Sequence, residues 1–413
     1  MFEIRPYLLD GSLRSGDLLA AAGVTRETLA NAYRREAREV LRFGRARATR
    51  FAARQTLPGF DTDEFPIFRV DESGEIHSAG HLVTLAATES VWLPDTAVVD
   101  GLPPEMHDIA PKGFLGRSFA RHHADLGIPT DASDWSDNHV LLALSRRGED
   151  LPGNLVVGRE SFDRFQVLRH RAVTPQDFPR LSADAIEGEH VGSSAGGEQP
   201  KFTAFVDGQH RIVKFATDAT DNARRWRDLL ALEHIALETI AEAGCGSATS
   251  EIIDVDGLRC LIVDRFDRIG EMGRRAVVTL AAVAERGGGT WSDAAESLHA
   301  DGVLGDDGLR QIVLLDAFGA WIANSDRHYH NIALFPTARG FEVAPAFDQL
   351  PMAYAPPASG NLRNAAIPPP RPAVNTLDVW GEAQDLAREF WGRAAGLSLT
   401  DSMRSIVKEH SGR

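Results

Sequence analysis

The hydrophobic pattern near the start of the chain predicts two short helices followed by a hairpin. Leu18 and Ala22 lie on one apolar helical face, and Gly23 then interrupts the repeat. Thr25 is a residue type that caps helices well, so a second helix is expected to begin there. Residues 40–54 alternate apolar and basic side chains, which is typical of two short paired strands.

The middle of the chain carries mostly strand patterns and one long helix. Short β-rich segments occupy residues 68–96, whereas a strand pair is predicted around Asp207 and Gly208, a dipeptide that favours tight hairpins. A long amphipathic helix is predicted over 221–243. Residues 260–263 form an apolar run that indicates a buried strand, and polar residues follow from Asp264.

The remaining segments divide into linkers, loops and helices. Residues 55–65 are rich in turn formers and predict a linker, and residues 101–158 are rich in proline and glycine without a recognisable chemical motif. Beyond residue 269 the pattern is mostly helical. Two loops interrupt it, a polar one at 324–331 and a proline-rich one at 356–372.

Composition places the chain among ordinary soluble proteins. Its 413 residues are 43% hydrophobic and 25% charged, which excludes collagen-like, low-complexity and coiled-coil classes. The most apolar stretch, 312–323, is short and contains Asp316, so no membrane partner is expected. Cys245 and Cys260 match no metal or redox spacing and indicate free thiols in a reducing compartment. With no signal-peptide core at the N-terminus, we expect a cytoplasmic protein.

Charge is distributed unevenly along the chain. Residues 1–58 hold eleven Arg against six acidic residues, a balance of +5, whereas the whole chain carries −15 and the other 355 residues therefore −20. A basic helix–turn–helix with a basic hairpin wing predicts binding to duplex DNA. The candidate contacts lie in the second helix and the wing: Arg26, Thr28, Arg45, Arg47 and Arg50. The alternative is a surface helical hairpin followed by a basic strand.

The second half of the chain orders its candidate residues as phosphoryl-transfer enzymes do. A glycine- and serine-rich loop precedes the strand that carries Lys214, and Glu233 follows on the next helix, nineteen residues later. Backbone N–H groups of such a loop cradle phosphates, a Lys neutralises their charge, and a Glu orients that Lys. The loop candidates are Gly192, Ser193, Ser194, Gly196 and Gly197.

The acidic candidates come later in the chain. Asp326 and Asn331 reproduce the D-x-x-x-x-N spacing of a catalytic loop, with Asp326 as the predicted catalytic base. Asp348 follows Asn331 by seventeen residues, and these two are the predicted Mg²⁺ ligands. Each feature alone is common, and the order of the set makes it specific. His328 and His330 could instead pair on a metal, but no convincing third ligand stands nearby in the sequence.

Taken together, these motifs resemble the HipA-like serine/threonine kinases, the toxins of bacterial type II toxin–antitoxin systems. The resemblance rests on SSAGGEQPKF, HRIVKF, VDRFDR, NSDRHYHNIAL and PAFD, and it covers roughly residues 100–410. The N-terminal helix–turn–helix is similar to that of the YjjJ-type subgroup, which carries its DNA-binding module on the same chain. One departure is Pro200, because the family loop often reads AG-x-QEK where this chain reads AGGEQPK.

The resemblance implies further roles for individual residues. Lys214 would contact the phosphates of ATP, Asp264 and Phe266 would offer backbone groups to adenine, and Ser193 and Ser194 would be autophosphorylated. It also implies ATP and Mg²⁺ as cofactors and a protein target in translation, such as an aminoacyl-tRNA synthetase. Most HipA kinases bind DNA through a separate antitoxin, HipB, which the DNA-binding segment of this chain would make unnecessary.

The predicted fold is therefore α+β, a two-lobed protein-kinase-like (HipA-like) fold with an N-terminal winged helix-turn-helix domain. We predict that domain over 1–58, an N-terminal kinase lobe over 59–265 and a helical C-terminal lobe over 266–413. The predicted activity is transfer of the ATP γ-phosphate to Ser or Thr of a protein. Two alternatives stay open: a DNA-binding regulator whose kinase-like body has lost catalysis, and a small-molecule or lipid kinase.

Overall fold

The chain folds into two compact units in a computed structural model that describes residues 2–187, 199–284, 288–357 and 361–412. The first unit comprises Met1–Asp71, Glu75–Ala110 and Ala124–Leu168. The second comprises Glu72–Gly74, Pro111–His123 and Arg169–Arg413. The predicted domain limits at residues 58 and 265 do not coincide with the limits of these units, and they stay a prediction.

Helices and strands alternate along both units, giving a mixed α+β fold. The strands are β1 (Leu13–Arg14), β2 (Val40–Phe43), β3 (Arg50–Ala53), β4 (Glu64–Val70), β5 (Ile76–Thr84), β6 (Glu89–Leu93), β7 (Val98–Asp100), β8 (Leu155–Val157), β9 (Ala172–Val173), β10 (Lys201–Val206), β11 (Gln209–Ala216), β12 (Ser250–Val255), β13 (Leu258–Asp264), β14 (Arg268–Ile269), β15 (Gly273–Arg274), β16 (Val278–Thr279), β17 (Ala333–Thr337) and β18 (Gly340–Val343). The α-helices are α1 (Ser15–Ala22), α2 (Arg26–Glu36), α3 (Pro104–Ile109), α4 (Gly113–His122), α5 (Asp137–Arg147), α6 (Arg159–Val167), α7 (Phe178–Ile186), α8 (Asp221–Glu242), α9 (Leu280–Val283), α10 (Trp291–Ala300), α11 (Asp306–Trp321), α12 (Trp380–Ala394) and α13 (Asp401–Ser411).

The first unit begins with the two helices and the hairpin that the hydrophobic pattern predicts. α1 ends at Gly23, whose φ of +64° is a left-handed conformation that glycine adopts readily. The Thr25 hydroxyl then caps α2 by accepting a hydrogen bond from the Thr28 amide at 3.2 Å. Leu18 and Leu29 pack with β3 in one small core, and β1, β3 and β2 form a three-stranded sheet beside it.

A second sheet completes the first unit. Its five antiparallel strands run in the order β7-β6-β5-β4-β8, and helices α5 and α6 pack against each other beside β8. The β-rich segments predicted between residues 68 and 96 are β4, β5 and β6, so the prediction is confirmed for these strands.

The second unit begins with a five-stranded sheet that places β11 at its centre, in the order β12-β13-β11-β10-β9. β10 and β11 form the predicted hairpin, and Asp207 and Gly208 both take positive φ at its turn, +50° and +76°. Helix α8 spans the range that periodicity predicts and buries its apolar stripe, including Leu229, Leu232 and Ala236, against the helices that follow.

Helices α9 to α13 follow this sheet, but the prediction of mostly helix beyond residue 269 is wrong for two stretches. Short strands occupy 268–279, and β17 and β18 form a hairpin. In β17, Leu334 lies in the main core while Phe335 lies in a second apolar cluster on the other face. Both faces are therefore buried, and the alternation that marks a half-exposed strand is absent.

The described helices include none that combines the length and the continuous apolar character required to cross a membrane. The predicted apolar stretch lies mostly in α11, where Asp316 is buried rather than exposed.

Candidate active site

The candidate site is built around Lys214 in the central strand β11. Lys214 pairs with Leu261 of β13 on one side and with Lys201 of β10 on the other. The Lys214 side chain is 8% exposed, so its ammonium has lost most of its hydration. A buried charge of this kind is stable only when nearby groups of opposite charge compensate it.

Helix α8 supplies one compensating charge through Glu233. The Lys214 ammonium donates to both carboxylate oxygens of Glu233, at 2.6 and 2.9 Å, and the Glu233 side chain is only 1% exposed. This bidentate pair joins α8 to the centre of the sheet. Glu233 therefore stands where an ion-pair partner of Lys214 was predicted.

Asp348 supplies a second negative charge to the same ammonium. Lys214 also donates to Oδ1 of Asp348, which sits at a positive φ of +52°, a conformation that Asp adopts more readily than most residues. Burial raises the pKa of Asp348, but the ammonium of Lys214 and then that of Lys201 outweigh burial and lower it to about 2. Asp348 is therefore ionised at neutral pH.

One ammonium is thus shared by two carboxylates. Burial lowers the pKa of Lys214, yet the carboxylates of Asp348 and Glu233 outweigh burial and the pKa is raised. Burial raises the pKa of Glu233; the Lys214 ammonium opposes this change and the Asp348 carboxylate adds to it. Lys214 alone does not balance both carboxylates, so the charge of Lys201 or of a further cation near Asp348 would complete the compensation.

The loop at 324–331 places Asp326 next to this cluster through hydrogen bonds to its backbone. Asn324 accepts from the Asp326 amide at 3.0 Å and donates to the Asp348 carbonyl at 3.4 Å, so it links the two acidic residues. Asn331 donates from its amide nitrogen to the Asp326 carbonyl at 2.8 Å. These bonds hold the Asp326 backbone while its carboxylate stays 48% exposed, within reach of an incoming molecule.

Asp316 of α11 stabilises this loop by hydrogen bonds. The sequence analysis did not assign it this role. Its carboxylate accepts from Arg327 Nε at 3.0 Å and from the amide and hydroxyl of Ser292 at 3.2 and 2.8 Å. Arg327 in turn donates to the Asn324 carbonyl. The sequence did offer one signal for this role, which is a charged residue inside an apolar stretch. An Asp buried within a helix needs hydrogen-bond donors or a cation to compensate its charge.

An open cleft of about 260 Å³ lies beside the Asp326 carboxylate. Its wall combines the loop at 324–331 with Asp316 and with the start of α10. The lining residues are Gly289, Thr290, Asp316, Ser325, Asp326, Arg327 and His328. The cleft leaves space for a substrate group next to a carboxylate that can accept a proton.

Asp348 and Asn331 carry donor atoms of the type that Mg²⁺ binds. Asp348 offers carboxylate oxygens, and Asn331 offers its amide oxygen because its amide nitrogen is bonded to Asp326. Hard oxygen donors of this type are those Mg²⁺ prefers. His328 and His330 have ring centroids 5.9 Å apart, and in the described parts of the chain neither joins a cluster of three His, Cys, Asp or Glu ligands.

Lys201 is a second cation at the site that the sequence analysis did not assign. It lies directly opposite Lys214 in the hairpin, and its charge contributes to the low pKa of Asp348. Like charges facing each other across two strands are unfavourable unless anions lie between them. The sequence offered one signal for Lys201, which is the scarcity of Lys. The chain has only four Lys against forty Arg, so each Lys marks a candidate functional position.

The predicted adenine-contacting residues lie at the end of β13. The Asp264 amide donates to the Thr249 carbonyl at 2.9 Å, and the Asp264 carboxylate lies 3.1 Å from Arg211 Nε. Phe266 packs against Phe347, the residue before Asp348, with ring centroids 5.7 Å apart. Both residues therefore stay candidates. The predicted loop residues Gly192, Ser193, Ser194, Gly196 and Gly197 lie outside the described residues.

Some of the residues predicted to contact DNA are exposed, and others form hydrogen bonds within the protein. Three are exposed, namely Arg26, Arg45 and Arg47. Arg50 instead donates to the carbonyl and hydroxyl of Ser12, at 3.1 and 2.8 Å. The Thr28 hydroxyl lies 3.0 Å from that of Thr25 within the cap of α2.

The chain is similar in sequence to bacterial toxins. Residues 61–166 match the family described as YjjJ-like toxin, middle domain, and residues 193–411 match the HipA-like C-terminal domain. Toxin YjjJ of Escherichia coli (strain K12) is 33% identical over 435 aligned residues, covering 99% of this chain and 96% of that protein.

Two solved structures are similar at lower identity. One is the HipA toxin of Shewanella oneidensis MR-1 in a complex with HipB and its operator DNA, with a TM-score of 0.49, 16% identity and coverage of 84% of this chain and 95% of that chain. The other is the proinflammatory kinase CtkA of Helicobacter pylori, with a TM-score of 0.33, 10% identity and coverage of 52% and 92%.

Proposed function

The chain belongs to the HipA-like toxin family, and from this premise we propose that it transfers the γ-phosphate of ATP to a Ser or Thr of a protein. The family resemblance favours a target in translation, such as an aminoacyl-tRNA synthetase. The observation that carries the proposal is the buried Lys214 ammonium, which is bonded to Glu233 of α8 and to Asp348 at once.

This cluster supports binding of a triphosphate with its metal. Lys214, held by Glu233, presents one positive charge to phosphate oxygens, and Lys201 presents another from the facing strand. Asp348 and Asn331 would hold Mg²⁺, which when bound neutralises phosphate charge and orients the phosphoryl group. Pre-organised charges of this kind lower a barrier because the site does not reorganise during the reaction.

Asp326 completes the chemistry as the general base. A substrate hydroxyl in the cleft would attack the γ-phosphorus, its proton would pass to the Asp326 carboxylate, and ADP would leave as the bond to the β-phosphate oxygen breaks. The half-exposed carboxylate and its fixed backbone suit this role. General bases of this type typically contribute about 10²- to 10⁴-fold to the rate.

Labelled ATP tests the proposal. We expect the full chain with Mg²⁺ and a cell extract to place label from [γ-³²P]ATP, but not from [α-³²P]ATP, on protein, and acid hydrolysis to release phosphoserine or phosphothreonine. Label only in the lipid or small-molecule fraction would instead establish the small-molecule alternative. Binding of Mg²⁺-ATP with no transfer to any fraction would establish the regulator with an inactive body.

The same incubation addresses self-modification of the chain. We propose that Ser193 or Ser194 receives a phosphate, because the family resemblance places both in the autophosphorylated loop. The added charge of about −1.5 to −2 would repel the ATP phosphates and switch the kinase off. Intact-mass and fragment analysis should find this phosphate in wild-type protein and not in Asp326→Asn protein. An unmodified loop in active protein after long incubation would contradict this regulation.

A second function, DNA binding by the N-terminal segment, is favoured by the helices α1 and α2 with their exposed basic residues. The turn at Gly23, the capped start of α2 and the β2–β3 hairpin support this proposal, because a winged helix-turn-helix has two helices around a turn and a hairpin wing. Arg45 and Arg47 are exposed between these wing strands. We propose that this module, a winged helix-turn-helix, holds duplex DNA and serves autoregulation.

We expect the Arg45→Ala/Arg47→Ala double variant to bind duplex DNA more weakly at every sequence. Each Arg that contacts a phosphate releases counterions, so the negative slope of log affinity against log salt should become shallower by about 2. Fluorescence anisotropy of labelled DNA over a salt series measures this slope. Arg159→Ala, which removes an equally exposed charge from α6 of the same unit, is the control and should leave the slope unchanged. If the wild-type chain does not bind duplex DNA at low salt, the proposed DNA-binding function is excluded.

A further inference from the structure

Arg225 is a buried cation on α8 that the catalytic residues discussed above do not include. Its side chain is among the largest fully buried ones of the chain, with 1% of the residue exposed. The guanidinium donates to the carbonyls of Tyr354 and Arg363 at 3.0 and 2.9 Å. It also donates to Asn364 Oδ1 at 2.8 Å and to Ser402 Oγ at 3.2 Å. Burying a charge is costly, and this one is compensated by oxygens from two other segments.

Three of the four acceptors lie in the described residues 349–357 and 361–367, which we call the segment after Asp348. Tyr354 lies six residues beyond Asp348, and Arg363 and Asn364 lie further along the same stretch. The Tyr354 hydroxyl also accepts a hydrogen bond from the Ile367 amide at 2.9 Å. Arg225 therefore binds this segment at two places, while Tyr354 ties one end of it to the other.

The same helix carries Glu233, eight residues after Arg225. Eight residues span about 12 Å of helix, or slightly more than two turns, and a helix of this length moves as one body. Glu233 bonds to Lys214, and Lys214 bonds to Asp348. The contacts thus close a ring from Lys214 through α8 and Arg225 to the segment after Asp348, and back to Lys214.

We propose that Arg225 is a positioning residue that fixes α8 to the segment after Asp348, and so keeps Glu233 and Asp348 on Lys214 together. The importance of this coupling for phosphoryl transfer rests on the proposed function, whereas the coupling itself does not. Without Arg225 the two carboxylates are tied to separate elements, so the cluster occupies its paired arrangement for a smaller fraction of the time.

The shape of the side chain explains why Arg stands at this position. A guanidinium offers five N–H donors in a rigid plane and reaches acceptors on both segments, whereas an ammonium is a point charge with three donors. Asp228, one turn further along α8, provides a comparison within the same helix. Its carboxylate accepts from the amide and hydroxyl of Thr400 at the start of α13 and contacts no residue of the segment after Asp348 in the described structure.

Lysine acylation of the full-length protein tests the coupling without any need for activity. The chain has only four Lys, so the labelling of Lys214 by an acetylating ester is resolved by peptide mass spectrometry against exposed Lys408. We expect labelling of Lys214 to rise at least fivefold in Arg225→Met and about twofold to threefold in Asn364→Ala, which loses one acceptor in the segment after Asp348. Ser402→Ala, which loses the acceptor on α13, should match the wild type.

These variants separate coupling from general loosening of the fold. Folded Arg225→Met protein with wild-type labelling of Lys214 would overturn the proposal, as would equal labelling in Ser402→Ala and Arg225→Met. If Arg225→Met does not fold, the comparison of Asn364→Ala with Ser402→Ala decides, and equal labelling in these two overturns the proposal.

Phosphate transfer from Mg²⁺-ATP gives a second test of the role of Arg225. We expect Arg225→Met to lower kcat for phosphate transfer at least tenfold while the calorimetric Kd for Mg²⁺-ATP changes less than threefold, and Arg225→Lys to recover part of kcat. An Arg225→Met protein with wild-type kcat overturns the positioning role. If wild-type protein transfers no phosphate but the labelling follows the expected pattern, the proposed function fails and the coupling stands.

Discussion

Asp326→Asn should reduce phosphate transfer by about 10²- to 10⁴-fold while the protein stays folded and still binds Mg²⁺-ATP. The amide matches the carboxylate in size but cannot accept the substrate proton. The Asp326 backbone is held by Asn324 and Asn331 through bonds that do not involve its carboxylate, so they persist in the variant. Single-turnover transfer from [γ-³²P]ATP measures the rate, and calorimetry measures nucleotide binding.

Asp348→Asn is the comparison that separates the base from the metal ligand. The Asp348 carboxylate pairs with Lys214 and is also a proposed Mg²⁺ ligand. Removing its charge should therefore weaken the binding of Mg²⁺-ATP as well as slow phosphate transfer. Asp307→Asn, which removes an exposed carboxylate from the first turn of α11, is the control for charge alone. Full activity in folded Asp326→Asn protein would refute the assignment of the base.

The local parts of the fold could be predicted because short-range physics specifies them. Asp207 and Gly208 accept the positive φ that the hairpin turn demands, and the turn fixes the register that places Lys214 centrally. The apolar stripe of α8 sets which face packs inward, and Glu233 lies on the buried side. These two facts, together with the order of the motifs, were sufficient to select Lys214 and Glu233 as a pair.

Residues whose roles depend on tertiary contacts could not be predicted in the same way. Asn324, Asp316 and Arg225 act through partners that are distant in the sequence or through backbone groups, which leave no motif. Strand β17 was missed because both faces of its first three residues are buried, so they show no alternation of apolar and polar side chains. The only sequence signal of Asp316 and Arg225 is a charge within an apolar helical pattern.

Lys214→Met should lower the thermal midpoint at pH 7 by about 10 °C, because removing one partner of a buried charge cluster costs about 3–5 kcal/mol. The variant leaves the Glu233 and Asp348 carboxylates close together, and the nearby Lys201 compensates them only in part. Exposed Lys408→Met is the matched control and should shift the midpoint by no more than about 2 °C.

The pH dependence of this variant should be opposite in sign to the contribution that Asp348 makes in the wild type. In the wild type the pKa of Asp348 is lowered to about 2, so its stabilising contribution is complete above about pH 4 and is lost as the pH falls through 2. In Lys214→Met the unpaired carboxylates take up protons more readily when folded than when unfolded. Burial already raises the pKa of Glu233 in the wild type, so the wild type also gains some stability as the pH falls from 7 to 5. The variant should gain more, because Lys214 no longer opposes that rise.

Replacing both members of the buried pair separates stability from chemistry. Lys214→Met/Glu233→Leu substitutes apolar side chains for both charges, and such replacements are often neutral or stabilising where single removals are not. We expect the double variant to recover at least half of the lost thermal midpoint, measured by tryptophan fluorescence, and none of the phosphate transfer. A single variant that keeps its midpoint and the wild-type pH profile would show that Lys214 is not held by charge, and the central ion cluster of the proposed site would have to be abandoned.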